Sequence, residues 1–231
     1  MTSFTQNRPL GLAMIALAMI IPHVACGNVL VSTLADPLRF DTPIGNNPNP
    51  KPAPVGLWNW GAQEFTTDIN GYTLTSIDAM VGTGNASPGV IAQLRADDVN
   101  THEIDLTAGG LLGSFTPPDV LGTQSVRSFT PVGSVTLSPN TSYWFLLGSS
   151  TDGTYAWSYV EGSAYTGLGS IRQENSVADS QDSGLNWNYH ALTSHPYFFQ
   201  VNVNPVPVPA AVWFFGSALG LMGVKRRKAT V

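Results

Sequence analysis

Short segments between residues 72 and 203 alternate apolar and polar residues with a period of two, a pattern that predicts short strands. The predicted strands cover residues 72–81, 90–96, 111–115, 126–130, 134–137, 142–148, 154–159 and 197–203. The segment 142–148 (SYWFLLG) is continuously apolar, which indicates a strand buried centrally in a sheet. The alternation within 72–81 slips once, at Thr75-Ser76, and this slip predicts a bulge or bend.

Turn-forming residues separate these strands, as in Pro117-Pro118-Asp119 and in residues 138–141 (SPNT). Many short strands with such turns predict an all-β fold, an antiparallel β-sandwich of jelly-roll-like form, over residues 57–203. Residues 28–56 are rich in proline and asparagine towards their end, and we expect them to form an extended surface segment that contributes no central strand.

The N-terminus has the pattern of a secretory signal peptide, assigned to residues 1–27. Arg8 precedes the apolar stretch Leu10–Ile21, which suits a signal helix and is too short to span a bilayer comfortably. Pro22 ends that helix, and small residues follow it, so cleavage after Gly27 is expected. An alternative is a lipoprotein signal, in which Cys26 carries the lipid.

The C-terminus has the pattern of a membrane-directed tail, assigned to residues 204–231. A proline repeat at 205–209 precedes an uncharged stretch, and a transmembrane helix is predicted at 208–224. The basic residues 225–228 (KRRK) should stay in the cytoplasm, which places the preceding domain outside the inner membrane. These features alone also allow a permanent single-span anchor.

The segment VPVPAAVWFFGSALGLMGVKRRK, from Val206 to Lys228, closely resembles the PEP-CTERM sorting signal of Gram-negative bacteria. The resemblance implies a sorting motif composed of Pro205, Val206, Pro207, Val208, Pro209, Lys225, Arg226, Arg227 and Lys228. It also implies two partners, the secretion machinery and exosortase, an integral membrane enzyme believed to cleave such tails near the prolines. The protein would then pass from the inner membrane to the cell surface or to an exopolysaccharide matrix.

A second resemblance concerns the domain itself, over roughly residues 58–203. Its order of strands and the element Leu137–Trp144 (LSPNTSYW) are similar to the choice-of-anchor β-domains that often precede PEP-CTERM tails. This resemblance implies a fold only, since the family has no established enzymatic role to carry over.

Charge and cysteine content narrow the function classes. All fifteen acidic residues lie between Asn28 and Asn204 with only five basic ones, so this segment would repel nucleic acid. The only cysteine, Cys26, lies in the signal segment, so the mature domain has no disulfide and no cysteine nucleophile. No Gly-x-Ser-x-Gly motif and no Asp-x-Asp-x-Asp-Gly calcium-loop pattern is present either, and we expect no enzyme, no cofactor and no metal site.

Two sequence elements allow a site: Asp97-Asp98 with His102-Glu103 as a metal or acid/base cluster, and Asp152-Gly153 as part of a calcium loop. Asp97-Asp98 with His102-Glu103 is interpreted as a solvated acidic loop, because side chains on a loop specify no catalytic geometry. Asp152-Gly153 is interpreted as a hairpin turn.

Aromatic residues offer one further candidate site. Tyr155, Trp157 and Tyr159 fall on one face of one predicted strand, about 6.5–7 Å apart, a spacing that allows stacking against a polysaccharide. The favoured interpretation is that this face belongs to the core, and the exposure of Trp157 discriminates between the two. The leading function is thus a non-enzymatic surface or matrix protein; the alternatives are a carbohydrate-binding module that tethers exopolysaccharide and a hydrolase, for which no motif is present.

Overall fold

The computed structural model describes residues 27–34, 51–55, 59–82, 89–120, 122–159, 165–192 and 196–206. These residues form one short 3₁₀ helix (Ala108–Gly110) and thirteen strands: β1 (Asn28–Ser32), β2 (Lys51–Val55), β3 (Trp60–Thr66), β4 (Tyr72–Gly82), β5 (Val90–Ala96), β6 (Leu111–Thr116), β7 (Ser125–Pro131), β8 (Val135–Leu137), β9 (Ser142–Ser149), β10 (Tyr155–Tyr159), β11 (Val177–Ser180), β12 (Asn188–His190) and β13 (Phe199–Pro205). The prediction of an all-β class is confirmed.

The predicted signal helix and the predicted transmembrane helix at 208–224 lie outside the described residues. Within the part of the chain that the structure describes, no helix has the length and apolar character needed to cross a membrane.

The strands form one curled antiparallel sheet in the order β1-β13-β4-β7-β6-β5-β9-β3-β11-β12, and β4 also pairs with β8 and β10, the latter extended by β2. A short β6–β7 pairing, at Phe115↔Pro131 and Thr116↔Thr130, joins two halves of this sheet. We call the strands β1, β2, β4, β7, β8, β10 and β13 the first half, and β3, β5, β6, β9, β11 and β12 the second half. The two halves face each other, which gives a sandwich-like arrangement.

The core lies between the two halves and is rich in aromatic rings. Phe145 of β9 contacts Phe129 of β7 and Trp157 of β10, each with ring centroids 5.6 Å apart. Edge-on contacts of this kind stabilise a core beyond the area they bury. Strand β9 lies between β5 and β3, and seven of its eight residues are buried, so the prediction of a central buried strand at 142–148 is confirmed.

The bulge predicted in β4 is also confirmed. Ser76 lies opposite Asn202, and the next pair joins Leu74 to Val203, which leaves Thr75 as the extra residue. The buried positions of β4 change from even to odd numbers across this point. The extra residue thus turns both ends of the strand towards the same core.

The fold extends beyond the predicted domain limits of 57 and 203. Strand β1 pairs with β13, and β2 pairs with β10, so the prediction that 28–56 precedes the fold as a surface segment is wrong for these two strands, although neither of them is a central strand. Strand β2 has no second strand partner among the described residues, which suits a segment in which Pro52 and Pro54 cannot donate backbone hydrogen bonds. Strand β13 continues to Pro205, inside the predicted tail.

Strands β3, β11 and β12 were not predicted, and one predicted turn has a different role. Residues 150–154, which include Asp152-Gly153, connect β9 of the second half to β10 of the first half. Because β9 and β10 do not pair with each other, the prediction of a hairpin at Asp152-Gly153 is wrong.

Candidate functional site

The three aromatic residues considered for glycan stacking lie in the core. Tyr155 is 2% exposed and Trp157 is fully buried, while Tyr159 packs against the same cluster. The Trp157 ring stacks on Tyr197 with centroids 4.1 Å apart, and its Nε1 donates to the carbonyl of Phe198 at 3.0 Å. A buried indole offers no ring face to a sugar. The favoured interpretation, that this face belongs to the core, is therefore confirmed, and the stacking hypothesis is wrong, because the face that carries these residues points between the two halves of the sheet.

The sorting motif begins where the described fold ends. Pro205 is the last residue of β13, and Val206 is 43% exposed, with its N–H donating to the carbonyl of Gly71 at 3.1 Å. The other motif residues, from Pro207 onward, lie outside the described residues.

An ionic cluster that the sequence did not reveal lies on the outer face of the second half; its members are Glu64, Asp97, His102 and Arg172. The Arg172 guanidinium reaches Asp97 Oδ1 at 3.1 Å and Glu64 Oε1 at 3.5 Å. His102 Nδ1 lies 3.2 Å from Asp97 Oδ2. The Glu64 side chain is fully buried, that of Asp97 is 4% exposed, and that of Arg172 is 21% exposed.

Hydrogen bonds occupy the carboxylates of this cluster. Glu64 Oε1 accepts from the Thr66 hydroxyl at 2.6 Å, and Oε2 accepts from the backbone N–H of Arg172 at 2.9 Å. Trp144 Nε1 donates to Asp97 Oδ1 at 2.9 Å. Desolvation raises the pKa of Glu64, opposed by the hydrogen bond from Thr66 and the contacts with Arg172. The Glu64 carboxylate of β3 thus contacts both the backbone and the guanidinium of Arg172. These contacts hold the segment around Arg172 against β3.

The prediction of a solvated acidic loop at Asp97-Asp98 and His102-Glu103 is wrong for Asp97, which is buried in the ionic cluster. It holds for the neighbouring residues: the His102 side chain is 53% exposed, and Glu103 is exposed. Asp98 Oδ1 accepts from the N–H of Asn100 at 2.8 Å, the local turn contact expected of a loop aspartate.

A cleft of about 270 Å³ lies on the same outer face as the ionic cluster. We call it the outer cleft. Trp60 of β3 and Leu146 of β9 line it from the sheet, and further residues come from β5, from the loop after β5 and from the β11–β12 loop: Gln93, Arg95, Leu106, Ser183, Gly184 and Leu185. Gly61 of β3 pairs with Leu147 of β9, so Trp60 and Gly148 are the next residues along the two strands, and a Cβ at Gly148 would collide with the indole. Glycine at this position therefore allows Trp60 to lie across the sheet.

The β11–β12 loop that forms one wall of the outer cleft is held by its own polar side chains. Asp182 Oδ1 accepts from the Asn186 N–H at 2.8 Å, and the Ser180 hydroxyl oxygen accepts from the Gly184 N–H at 2.9 Å. The Asn186 side-chain amide donates to Asp182 Oδ2 at 2.6 Å, and this bond, followed by those from the Asn186 N–H and the Ser180 hydroxyl, lowers the pKa of Asp182 to about 2. Ser183 and Gly184 both have positive φ, at 65° and 81°, which suits a tight turn.

Two other observations concern catalytic or metal chemistry. His190 Nε2 lies 2.5 Å from Asp179 Oδ1. A catalytic triad would also need a hydroxyl nucleophile, and no hydroxyl among the described residues hydrogen-bonds to that imidazole. In the described ranges, no group of three or more His, Cys, Asp or Glu side chains could hold a metal ion.

Comparison with known proteins adds no relative: no protein-family model matches the chain, and no curated sequence matches it significantly.

Proposed function

We propose that this chain is an exported, non-enzymatic cell-surface or matrix protein, delivered by its signal peptide and its PEP-CTERM-like tail. The β-domain is the cargo, and the tail is the address that exosortase recognises and removes. The sequence motif from Val206 to Lys228 is the main support for the sorting step.

The relation between the first and last strands supports this proposal. Strand β1 pairs antiparallel with β13, and Asn28 lies opposite Val203. The chain therefore enters and leaves the domain at the same end, next to the two predicted membrane-directed segments. A domain of this form can lie on one side of a membrane while both segments are in it.

The same pairing fits the expected processing sites. Cleavage after Gly27 leaves Asn28, the first residue of β1, as the mature N-terminus, so the strand stays intact. At the other end, Val206 follows β13 and is 43% exposed, so a protease acting beyond it leaves the β1–β13 pairing in place.

The finer fold proposal is a jelly-roll-like sandwich similar to the choice-of-anchor domains. The shared element Leu137–Trp144 spans the β8–β9 connection, where Asn140 has a positive φ of 48°. Within this element the N–H of Ser138 donates to the Tyr143 hydroxyl at 2.7 Å. These local contacts give the element a structural role in the turn.

The test is fractionation of variants in the native host. Replacing Lys225, Arg226, Arg227 and Lys228 by glutamine removes the basic end of the motif. The matched control exchanges lysine and arginine at the same four positions, which keeps every charge. We expect wild type and control on the cell surface or in the medium, and the glutamine variant retained in the inner membrane or missorted.

Two results would contradict the proposal. Wild-type protein found only in the inner membrane would indicate a permanent single-span anchor. Normal surface delivery of the glutamine variant would show that the basic end is not part of an address. A lipid on Cys26 would replace the assigned cleavage site with the lipoprotein alternative.

A further inference from the structure

Strand β7 has a free edge, by which we mean the side of residues 125–129 that faces away from β4 and that no described strand pairs with. The pairing of β7 with β6 ends at Thr116↔Thr130. The next two residues after Thr116 are prolines, and because proline has no N–H, the ladder cannot continue there. Val126 is 48% exposed and Ser128 is exposed, so solvent reaches this edge.

Two residues of the free edge have backbone groups that no other described residue meets. In an antiparallel sheet, alternate residues direct their N–H and C=O groups towards the same neighbouring strand. Val132 donates its N–H to the carbonyl of Ser114 on the β6 side at 2.9 Å, so Thr130, Ser128 and Val126 direct their groups to that side as well. Beyond the end of the β6 pairing, the N–H and C=O groups of Val126 and Ser128 are open to another strand.

Three other edges of the sheet have features that prevent pairing with another chain. The outer edge of β1 is covered, since Ser32 and Thr166 exchange two backbone hydrogen bonds of 2.8 Å. Strand β2 contains Pro52 and Pro54, and β12 is only three residues long. Prolines and short strands are common means of keeping an edge from associating. The free edge of β7 contains no proline and belongs to a strand of seven residues.

One charged residue, Arg127, lies at the centre of the free edge. Arg127 shares a face of β7 with Phe129, which is fully buried in the core. The Arg127 Nε is buried without a hydrogen-bond partner, and no carboxylate of a described residue pairs with the guanidinium. An inward-pointing charge on an edge strand disfavours the addition of another strand.

We propose that the free edge of β7 is a pairing site for β7 of a second copy of this chain, and that the charge of Arg127 controls the pairing. A second copy presents the same donors and acceptors at the same spacing, so a two-fold antiparallel arrangement is self-complementary. The register with Val126 opposite Ser128 of the other copy uses every open N–H and C=O group of the two edges.

This register also explains why Arg127 has control. It places Arg127 directly opposite its own counterpart, in a pair without mutual hydrogen bonds whose Cα atoms are about 4.5 Å apart. Like charges in this position are destabilising, so the pairing of two wild-type copies is weak. Removing or reversing one of the two charges therefore strengthens it.

The test is a mixture of two chains with opposite charges at position 127. Tagged wild-type chain and untagged Arg127→Glu chain, both full length, are mixed in detergent, and the untagged chain retained with the tagged one is measured. The mixture should associate about tenfold or more tightly than wild type with wild type, because a repulsive pair becomes an attractive one. Association through residues outside the domain is the same in both mixtures, so the comparison is independent of the sorting proposal.

A proline tests whether the backbone of β7 makes the contact. Val126→Pro removes an N–H that faces the free edge and leaves the hydrogen bonds between β7 and β4 in place. In the Arg127→Glu chain it should return the association to the level of wild type with wild type. The control is Val126→Ala in the same chain, which shortens the same side chain and keeps the N–H.

Amide hydrogen exchange is a second readout that needs no proline. Exchange at Val126 and Ser128 should slow in the mixture of wild type and Arg127→Glu, because their N–H groups then donate to the other copy. Stronger association of this mixture, lost with Val126→Pro and accompanied by slower exchange, supports the proposal. Three results overturn it: association no stronger than that of wild type with itself, equal association of the folded proline variant and its alanine control, or unchanged exchange at both amides.

Discussion

Replacing Arg172 by methionine tests whether the ionic cluster fastens the outer segment to the sheet. Methionine keeps much of the side-chain volume and removes the guanidinium, which is 3.1 Å from Asp97 and 3.5 Å from Glu64. The Glu64 carboxylate then stays fully buried without its cation, although the Thr66 hydroxyl and the backbone N–H of Arg172 still donate to it.

The expected loss follows from burial. Removing one partner of a buried ion pair costs about 3–5 kcal/mol, because a charge is left uncompensated in a medium that solvates it poorly. Arg172 is 21% exposed, and two hydrogen bonds to Glu64 remain, so we discount this figure. We expect the free energy of unfolding to fall by about 2–3 kcal/mol at pH 7.

Urea denaturation at two pH values is the assay. The pKa of Glu64 is raised in the folded state, so the cost of burying its charge is present at neutral pH. That cost is relieved as the pH falls through the raised pKa towards the ordinary value of 4.5, because the folded protein takes up the proton first. Without Arg172 the pKa of Glu64 rises further, so the deficit of Arg172→Met relative to wild type should shrink on acidification.

The matched control is Glu64→Gln, which is neutral and still accepts hydrogen bonds. In the double variant Glu64→Gln/Arg172→Met the loss should be smaller than the sum of the two single losses, since one of the two carboxylates that Arg172 compensates is gone while Asp97 remains. A loss below about 0.5 kcal/mol, or a deficit that is the same at pH 7 and pH 5, would refute the assigned role.

Three further predictions concern the core, the cleft floor and the β11–β12 loop. Trp157→Ala should lower the free energy of unfolding by about 3–5 kcal/mol in urea denaturation, because it opens a cavity in the core and removes one of the two N–H donors to the Phe198 carbonyl, the other being that of Met80; a loss near zero would place Trp157 outside the core. Gly148→Ala should cost about 1–3 kcal/mol and shift the indole resonance of Trp60, since the new methyl group meets that ring; an unchanged spectrum would contradict the register. Carboxyl NMR should find that Asp182 titrates near a pKa of about 2, and Asn186→Ala should raise this towards 3.8, so any stabilisation from Asp182 is present above 3.8 and lost as the pH falls towards 2; an unshifted Asp182 pKa in the intact chain would contradict the loop geometry.

The alternation of apolar and polar residues predicted those strands whose burial can be read from their own residues. In β4, the slip at Thr75 could be read from the sequence because burial changes sides within one strand. In β9, the continuous apolar run predicts that side chains on both faces of the strand are buried, as they are in the structure. Strand β3 was missed because Gln63 and Glu64 are fully buried polar residues in its centre. Their hydrogen-bond partners, such as Ser176 and Arg172, are more than 100 positions away in the sequence, so no local pattern predicts that Gln63 and Glu64 are buried.

For the site residues too, the local sequence pattern does not tell which surfaces and distant residues come together. The sequence correctly placed Tyr155, Trp157 and Tyr159 on one face, but alternation in one strand does not tell which face meets water. The outer cleft joins Trp60 to Gln93 and to the loop at Ser183, segments brought together only by the pairing of β5, β9, β3 and β11. Glycine at 148 has a reason only once Trp60 is known to lie across from it.

The most direct test of the account is the mass of the C-terminal peptide of the native protein, taken from its own host with and without the host's exosortase. A C-terminus between Asn204 and Pro209 that appears only when the enzyme is present is the predicted result, because it leaves the β1–β13 pairing intact and removes the membrane-directed tail. A C-terminus at Val231 in both strains would contradict the sorting proposal and indicate a permanent membrane anchor.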